Sequence, residues 1–190
     1  MKLCGNNNGK ILVIGCFHGD EPQGKYLIEK YLQNNVTKLA FISCLNEYGV
    51  EHNCRVNKNG VDLNRNFPTS NWILGEKDNF FGGNFPASEE ETQFVIDIVE
   101  KLKPKLILTL HAPYKIVNYD GNAEDIAEKI SKIIGYPVQK SIGYPTPGSF
   151  GTWAGLENNI PVITLELDEE VDVTELEATV FEVFKLLEEE

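Results

Sequence analysis

A histidine, an aspartate and a glutamate crowd the point where the first long apolar run of the chain stops. The run ILVI (residues 11–14) passes into GCFHGDEPQG (residues 15–24), which sets His18 three residues ahead of Glu21 at what reads as a strand-to-helix turn. An imidazole and a carboxylate so placed can hold a metal ion. A catalytic zinc takes three protein ligands from His and Asp or Glu and keeps a fourth position open. The pair alone is a weak signal, and the third ligand has to come from another strand end. The chain has three histidines, His18, His52 and His111. His111 closes the run LILTLH (106–111) and stands to its strand as His18 stands to its own, whereas His52 falls in a polar loop and is the poorer candidate. A nucleophilic pair of Cys16 and His18 is the competing chemistry, but a cysteine within an apolar strand is more simply a small buried thiol.

A second stretch, CRVNKNGVDLNRNFP (54–68), gathers asparagines, Arg55, Asp62 and Arg65. Buried, so polar a segment is costly unless its groups satisfy one another; exposed, it is an ordinary loop.

The elements that position these residues follow from hydrophobic period. Flat apolar runs predict strands at Ile11–Cys16, Leu39–Leu45, Leu106–His111 and Val162–Leu167, of the kind covered on both faces. Helical spacing predicts helices over Glu21–Asn34, Ala87–Leu102 (with Ser88 and Glu91 as a capping box), Asn122–Ile134 and Val173–Glu189. Strand and helix alternate. The expectation is an α/β three-layer sandwich: a mixed, mostly parallel central sheet with helices on both faces. Residues 46–86 and 141–155 fit neither period and read as long functional loops.

The chain has 190 residues, 42% hydrophobic and 24% charged, which suits one soluble globular domain over residues 1–190. A net charge of −12 without a basic run disfavours nucleic acid as a partner. Four cysteines without a CxxC pair read as reduced thiols. The start MKLCGNNNGKILVIGC lacks the shape of a signal peptide and no run is long enough to span a membrane. The expected location is therefore the cytoplasm, with no membrane partner. The sequence is silent on oligomeric state.

HGDE, then GVDLNRNFP, then LHAP at a strand end, and finally YPTPGSFGTWAGLENNIPVITLEL together resemble the zinc metallocarboxypeptidase family. The likeness spans residues 11 to 168. It implies one zinc ion on His18, Glu21 and His111, the two-histidine, one-glutamate set of carboxypeptidase A. It implies Asp62 behind His18, Arg55 as oxyanion donor, Asn64 and Arg65 on the substrate's terminal carboxylate, Tyr144 closing over the substrate, and Glu166 as general base and then acid. Arg55 lies nearer to Arg65 than in digestive members. The same motifs look most like the bacterial murein tripeptide amidase subfamily. That likeness implies a small peptide substrate, L-Ala-γ-D-Glu-meso-diaminopimelate, cleaved to free diaminopimelate during peptidoglycan recycling in the cytoplasm. Three alternatives stand beside it. They are a deacylase like succinylglutamate desuccinylase or aspartoacylase, an ordinary carboxypeptidase on α-linked peptides, and an inactive zinc-binding module.

Overall fold

The computed structural model describes residues 1–140 and 143–190. Its strands are β1 (Cys4–Gly5), β2 (Ile11–Gly15), β3 (Ala40–Ile42), β4 (Leu106–His111), β5 (Ile116–Asp120), β6 (Val138–Gln139) and β7 (Val162–Glu166). They form one sheet in the order β1-β3-β2-β4-β7-β5-β6. Strands β3, β2, β4 and β7 run parallel; β1 is antiparallel to β3, and β5 is antiparallel to β7 and parallel to β6. The helices are α1 (Gln23–Asn34), α2 (Glu47–His52), α3 (Glu90–Leu102), α4 (Glu124–Ile134) and α5 (Glu177–Glu189).

Alternation along the strands sorts the core into two layers. Ile11, Val13, Phe41, Leu108, Ile163 and Leu165 face α1, α4 and α5, meeting Leu27, Ile28, Ala127, Ile130, Val180 and Phe184. Leu12, Ile14, Ala40, Ile42, Ile107 and Val162 face α3, with Val95, Ile98, Val99 and Leu102. Both faces of the sheet are thus covered, as the flat apolar runs demand. Truncating a fully buried ring such as Phe184 costs about 3–5 kcal/mol. Because β2, β4 and β7 point the same way, the ends of all three open on one edge. That edge is where parallel sheets build sites.

Several expectations need correction. The strand at 39–45 is shorter, Ala40–Ile42, because the chain beyond it leaves the sheet to cross the turn after β2. Ser88 and Glu91 form no capping box: α3 begins at Glu90, and the Ser88 hydroxyl donates instead to Glu89 Oε1 at 2.6 Å. The helix expected from Glu21 starts at Gln23, after Pro22, whose ring presets the first turn. Strands β1, β5 and β6 and helix α2 are additions to the expected set. Of the loop expected at 141–155, residues 141–142 lie outside the described residues, and Thr152–Glu157 form a π-helical turn. Among the described residues no helix is long and apolar enough to cross a membrane.

Candidate active site and metal centre

After β2 the chain turns sharply at Cys16, whose φ is +57°. A non-glycine residue there costs on the order of 1 kcal/mol or more, and its surroundings must hold it. Leu45 N donates to Gly15 O at 3.1 Å and Asn46 N to Cys16 O at 2.9 Å, so the segment leaving β3 clamps the turn. Gly19 then passes directly over α2: a Cβ on it would lie 1.9 Å from the Gly49 carbonyl carbon. The result aims His18 and Glu21 into the cleft at the sheet edge.

Three side chains converge there. His18 Nδ1 lies 2.7 Å from Glu21 Oε1, and His111 Nδ1 lies 2.9 Å from Glu21 Oε2. One donor atom from each of the three falls within 4.8 Å of the others, and all three residues are buried. Two imidazole nitrogens and one carboxylate oxygen suit zinc. The far nitrogen of His18, Nε2, faces Asp62 Oδ1 at 3.0 Å, which orients the ring with Nδ1 toward the cluster. Phe17 stacks on His111 at 5.4 Å between centroids and 19° between planes, fixing the second ring. The donor set therefore fits the metal. Burial opposes the negative charge of Glu21, but the two imidazoles hold its carboxyl well below the usual carboxylate range.

Asp62 is the hub behind this cluster. It is fully buried, caps the short 3-10 turn Leu63–Arg65 by accepting from Asn64 N at 2.9 Å, and takes Arg55 Nε and Nη2 on Oδ2 at 3.1 and 2.9 Å. Arg55 Nη1 reaches within 3.6 Å of Glu21 Oε1, and its guanidinium also lies over the Phe80 ring at 5.1 Å. Arg65 is buried and donates from Nη1 to Asn64 O at 2.7 Å. The Asn64 carboxamide oxygen accepts from Phe150 N at 2.9 Å, which leaves its NH2 as the donor group for a ligand. The polar segment 54–68 is thus sheltered except at 58–60 and 68, and its polar side chains find partners both within it and on distant residues such as His18, Glu89 and Phe150.

Glu166 ends β7 directly beside His111 in the parallel register. Its Oε2 is buried without a hydrogen-bond partner. Burial pushes its carboxyl above the ordinary value; His111 pulls the other way and Glu21 adds to the rise. A buried carboxylate oxygen with no partner is costly, and here it belongs to an acid that lines the same cleft as the three metal-donor candidates. Glu166, the three metal-donor candidates, Arg55, Asn64 and Arg65 line a cleft of about 440 Å³, which also reaches Tyr144, while Asp62 lies behind it. Tyr144 is exposed; burial of its hydroxyl end and a bond with Tyr114 push the phenol up to about 12.

A family model described as zinc carboxypeptidase matches residues 3–129. The chain belongs to the zinc carboxypeptidase family. Murein peptide amidase A of Escherichia coli (strain K12) is 30% identical over 170 residues, covering 82% of this chain and 69% of that protein. The murein peptide amidase A of Vibrio campbellii is 31% identical over 176 residues, covering 85% and 70%. Among solved structures, the murein-tripeptide amidase from Escherichia coli O157 superposes with a TM-score of 0.84 at 29% identity, over 96% of this chain and 82% of that one. The carboxypeptidase A from Helicoverpa armigera gives 0.74 at 18% identity, over 95% and 60%, a likeness of fold. The protein is accordingly a metallopeptidase-type hydrolase of the peptidase and amidase class, and membership of the zinc carboxypeptidase family implies a metal.

Other residues of this member of the zinc carboxypeptidase family resolve plainly. His52 is exposed on α2 and bonded to Tyr48 O, away from the cleft. Cys16 is buried; a hydrogen bond with Cys44 and desolvation push its thiol far up, so it is held protonated and is no nucleophile. Trp153 packs on Phe67 and Phe150. Among the cleft residues that escaped sequence reading are Asn118 and Asp120 on β5. Their signal was present in IVNYD, where polar residues alternate with Val117 and Tyr119 before Gly121.

Proposed function

We propose that this chain is a zinc-dependent amidohydrolase that cleaves the amide bond ahead of a C-terminal residue bearing a free carboxylate, with murein tripeptide as substrate and meso-diaminopimelate as the released product. The observation that carries this reading is the pairing of a three-donor cluster with a buried glutamate that keeps one oxygen free of hydrogen bonds, in one cleft, in a chain whose relatives are named murein peptide amidase A. The recycling role and a cytoplasmic location follow from the same reading.

His18, Glu21 and His111 hold the zinc in this reading. Zinc there supplies a Lewis acid that polarises the scissile carbonyl and makes water acidic enough to lose a proton near neutrality. Glu166 accepts that proton on its free oxygen and hands it to the departing amine; its raised carboxyl brings acceptor and donor strength closer together. Arg55, fixed by Asp62, places a cation where negative charge develops on the carbonyl oxygen. Arg65 and the Asn64 NH2 take the terminal carboxylate, the guanidinium through two parallel bonds. Tyr144, at the cleft rim, covers the bound peptide.

The test is mass spectrometry of products after incubation of the zinc-loaded protein with L-Ala-γ-D-Glu-meso-diaminopimelate, beside an α-linked dipeptide, N-acetylaspartate and succinylglutamate. Free diaminopimelate that appears only with zinc is the expected result. Cleavage confined to one of the other three compounds would refute the substrate.

A further inference from the structure

The turn after β2 that presents His18 and Glu21 is also where two of the four cysteines meet. All four are free thiols. Strands β2 and β3 run parallel with Ile14 opposite Ile42, and the same offset carried two residues further sets Cys16 opposite Cys44. The two segments stay side by side beyond the ladder, held by the bonds from Leu45 N to Gly15 O and from Asn46 N to Cys16 O. Neighbouring strands lie about 4.8 Å apart, within the ~4.4–6.8 Å that a disulfide allows between Cα atoms. The two thiols already share a hydrogen bond. Cys4 and Cys54 are placed differently: their thiols donate to the carbonyls of Phe41 and Val56.

The members of this pair differ in their surroundings. Cys16 is fully buried, whereas Cys44 borders a surface cavity of about 540 Å³ that is also lined by Lys2, Lys25 and Glu47. An oxidant arriving from solvent therefore meets Cys44 first. The bond shared with Cys16 favours the thiolate of Cys44; burial opposes it, and the Lys25 ammonium adds to the lowering. A thiolate near a cation, with a second thiol in contact, is the setting in which oxidation is selective.

Cys16 ties the pair to the metal donors. Its thiol also donates to Glu21 O at 3.6 Å, across the turn that presents the Glu21 carboxylate, and His18 follows it by two residues. A disulfide sulfur carries no proton. Closing the pair therefore ends the bond to Glu21 O and draws the Cys16 side chain toward Cys44, so that the turn loses an anchor behind one of its donors.

We propose that Cys16 and Cys44 are an oxidisable pair that closes to a disulfide with a hydroperoxide and, on closing, weakens the hold of His18, Glu21 and His111 on their metal. The Cys44 thiolate attacks one peroxide oxygen, the O–O bond breaks, and the departing oxygen takes up a proton. Cys44 is then a sulfenic acid. The Cys16 thiol condenses with it: the S–S bond forms, the S–O bond breaks, and the thiol proton leaves with the hydroxyl as water. The two sulfurs lose two electrons in all and the peroxide gains them; a dithiol reductant reverses the change. The cross-link does not depend on what the cleft hydrolyses, while its effect on metal rests on the reading of the three donors as the zinc site.

The test treats the reduced full chain with hydrogen peroxide, alkylates the remaining thiols after unfolding, and maps the digest by mass spectrometry. The expected product is a peptide cross-linked between Cys16 and Cys44 and released by dithiothreitol, with Cys4 and Cys54 recovered in alkylated form. Chelator competition on the same samples should show zinc held about 10-fold more weakly after oxidation, with recovery on reduction. In Cys44→Ser, peroxide should leave zinc affinity unchanged. In Cys16→Ser, Cys44 should stop at the sulfenic acid, which dimedone traps. Four alkylated thiols without a cross-link, or a cross-link between other cysteines, overturn the proposal. A Cys16–Cys44 cross-link with unaltered zinc affinity overturns its effect on the metal. A reduced protein that forms the cross-link and binds no zinc upholds the pair and rejects the zinc site itself.

Discussion

Asp62 Oδ1 stands 3.0 Å from His18 Nε2, while Oδ2 of the same carboxylate takes two hydrogen bonds from Arg55. One fully buried side chain thus fixes both a metal donor and the cation proposed to receive the carbonyl oxygen.

Asp62→Asn should therefore damage two functions together. Loss of a carboxylate behind a metal-bound histidine costs about 10- to 100-fold in metal affinity. Removal of one partner of a buried ion pair destabilises by about 3–5 kcal/mol. Chelator competition for zinc and a thermal melt check both. Native zinc affinity in a well-folded variant would contradict the bridging role.

Glu166→Gln should keep zinc and lose turnover by about 100- to 10,000-fold, the range for general acid–base catalysis. It should also stabilise the fold. The folded carboxyl is raised above its unfolded value by burial, so the native state holds the proton more tightly. Stability associated with Glu166 is then greatest at low pH and is lost as pH climbs through the folded value. The gain in Tm from Glu166→Gln should accordingly be larger at pH 7 than at pH 4, and a melt at each pH decides it.

The metal-free protein should lose stability on the alkaline side. Burial disfavours charge on His18, but Glu21 and Asp62 outweigh it and push the imidazole up to about 9 from 6.5. A raised basic group contributes stability that is complete below the unfolded value and lost as pH rises through the folded one. With chelator present, Tm should fall between pH 6.5 and about 9, by on the order of 5 °C. With saturating zinc the fall should vanish, because the metal replaces the proton at Nδ1. A flat metal-free profile would contradict the protonated state.

Arg65→Ala should act mainly on KM, raising it about 10- to 100-fold, the worth of a charge-assisted hydrogen bond. Arg65→Lys should recover little of this, since an ammonium cannot grip a carboxylate through two parallel bonds. Steady-state kinetics on the tripeptide separates the two terms. Unchanged KM in both variants would remove Arg65 from carboxylate binding.

Much of the frame was readable from residue types. The runs around Val13, Leu108 and Ile163 are apolar on both faces because both faces are covered, and their polar ends, at His18, His111 and Glu166, mark the open edge. Short edge strands were not readable: β6 is two residues long, and Val138–Gln139 carries no period of its own. The capping box at Ser88 failed because Asn66, distant in sequence, donates to the Ser88 hydroxyl and accepts from Glu89 N, occupying that helix end. The surroundings of Asp120 were hidden for a similar reason: Gly151 and Gly155, some thirty residues later, are brought against it only by the folded chain.

The position of β7 between β4 and β5 has a consequence for the order in which the chain acquires its parts. All the metal donors are synthesised by residue 111, and the strand that carries Glu166 must afterwards slot between two strands made earlier. Such non-local insertion is the slow kind of step in assembling a sheet. In the proposed reading the growing chain therefore possesses its metal donors before it possesses its base, and hydrolytic competence arrives only with β7.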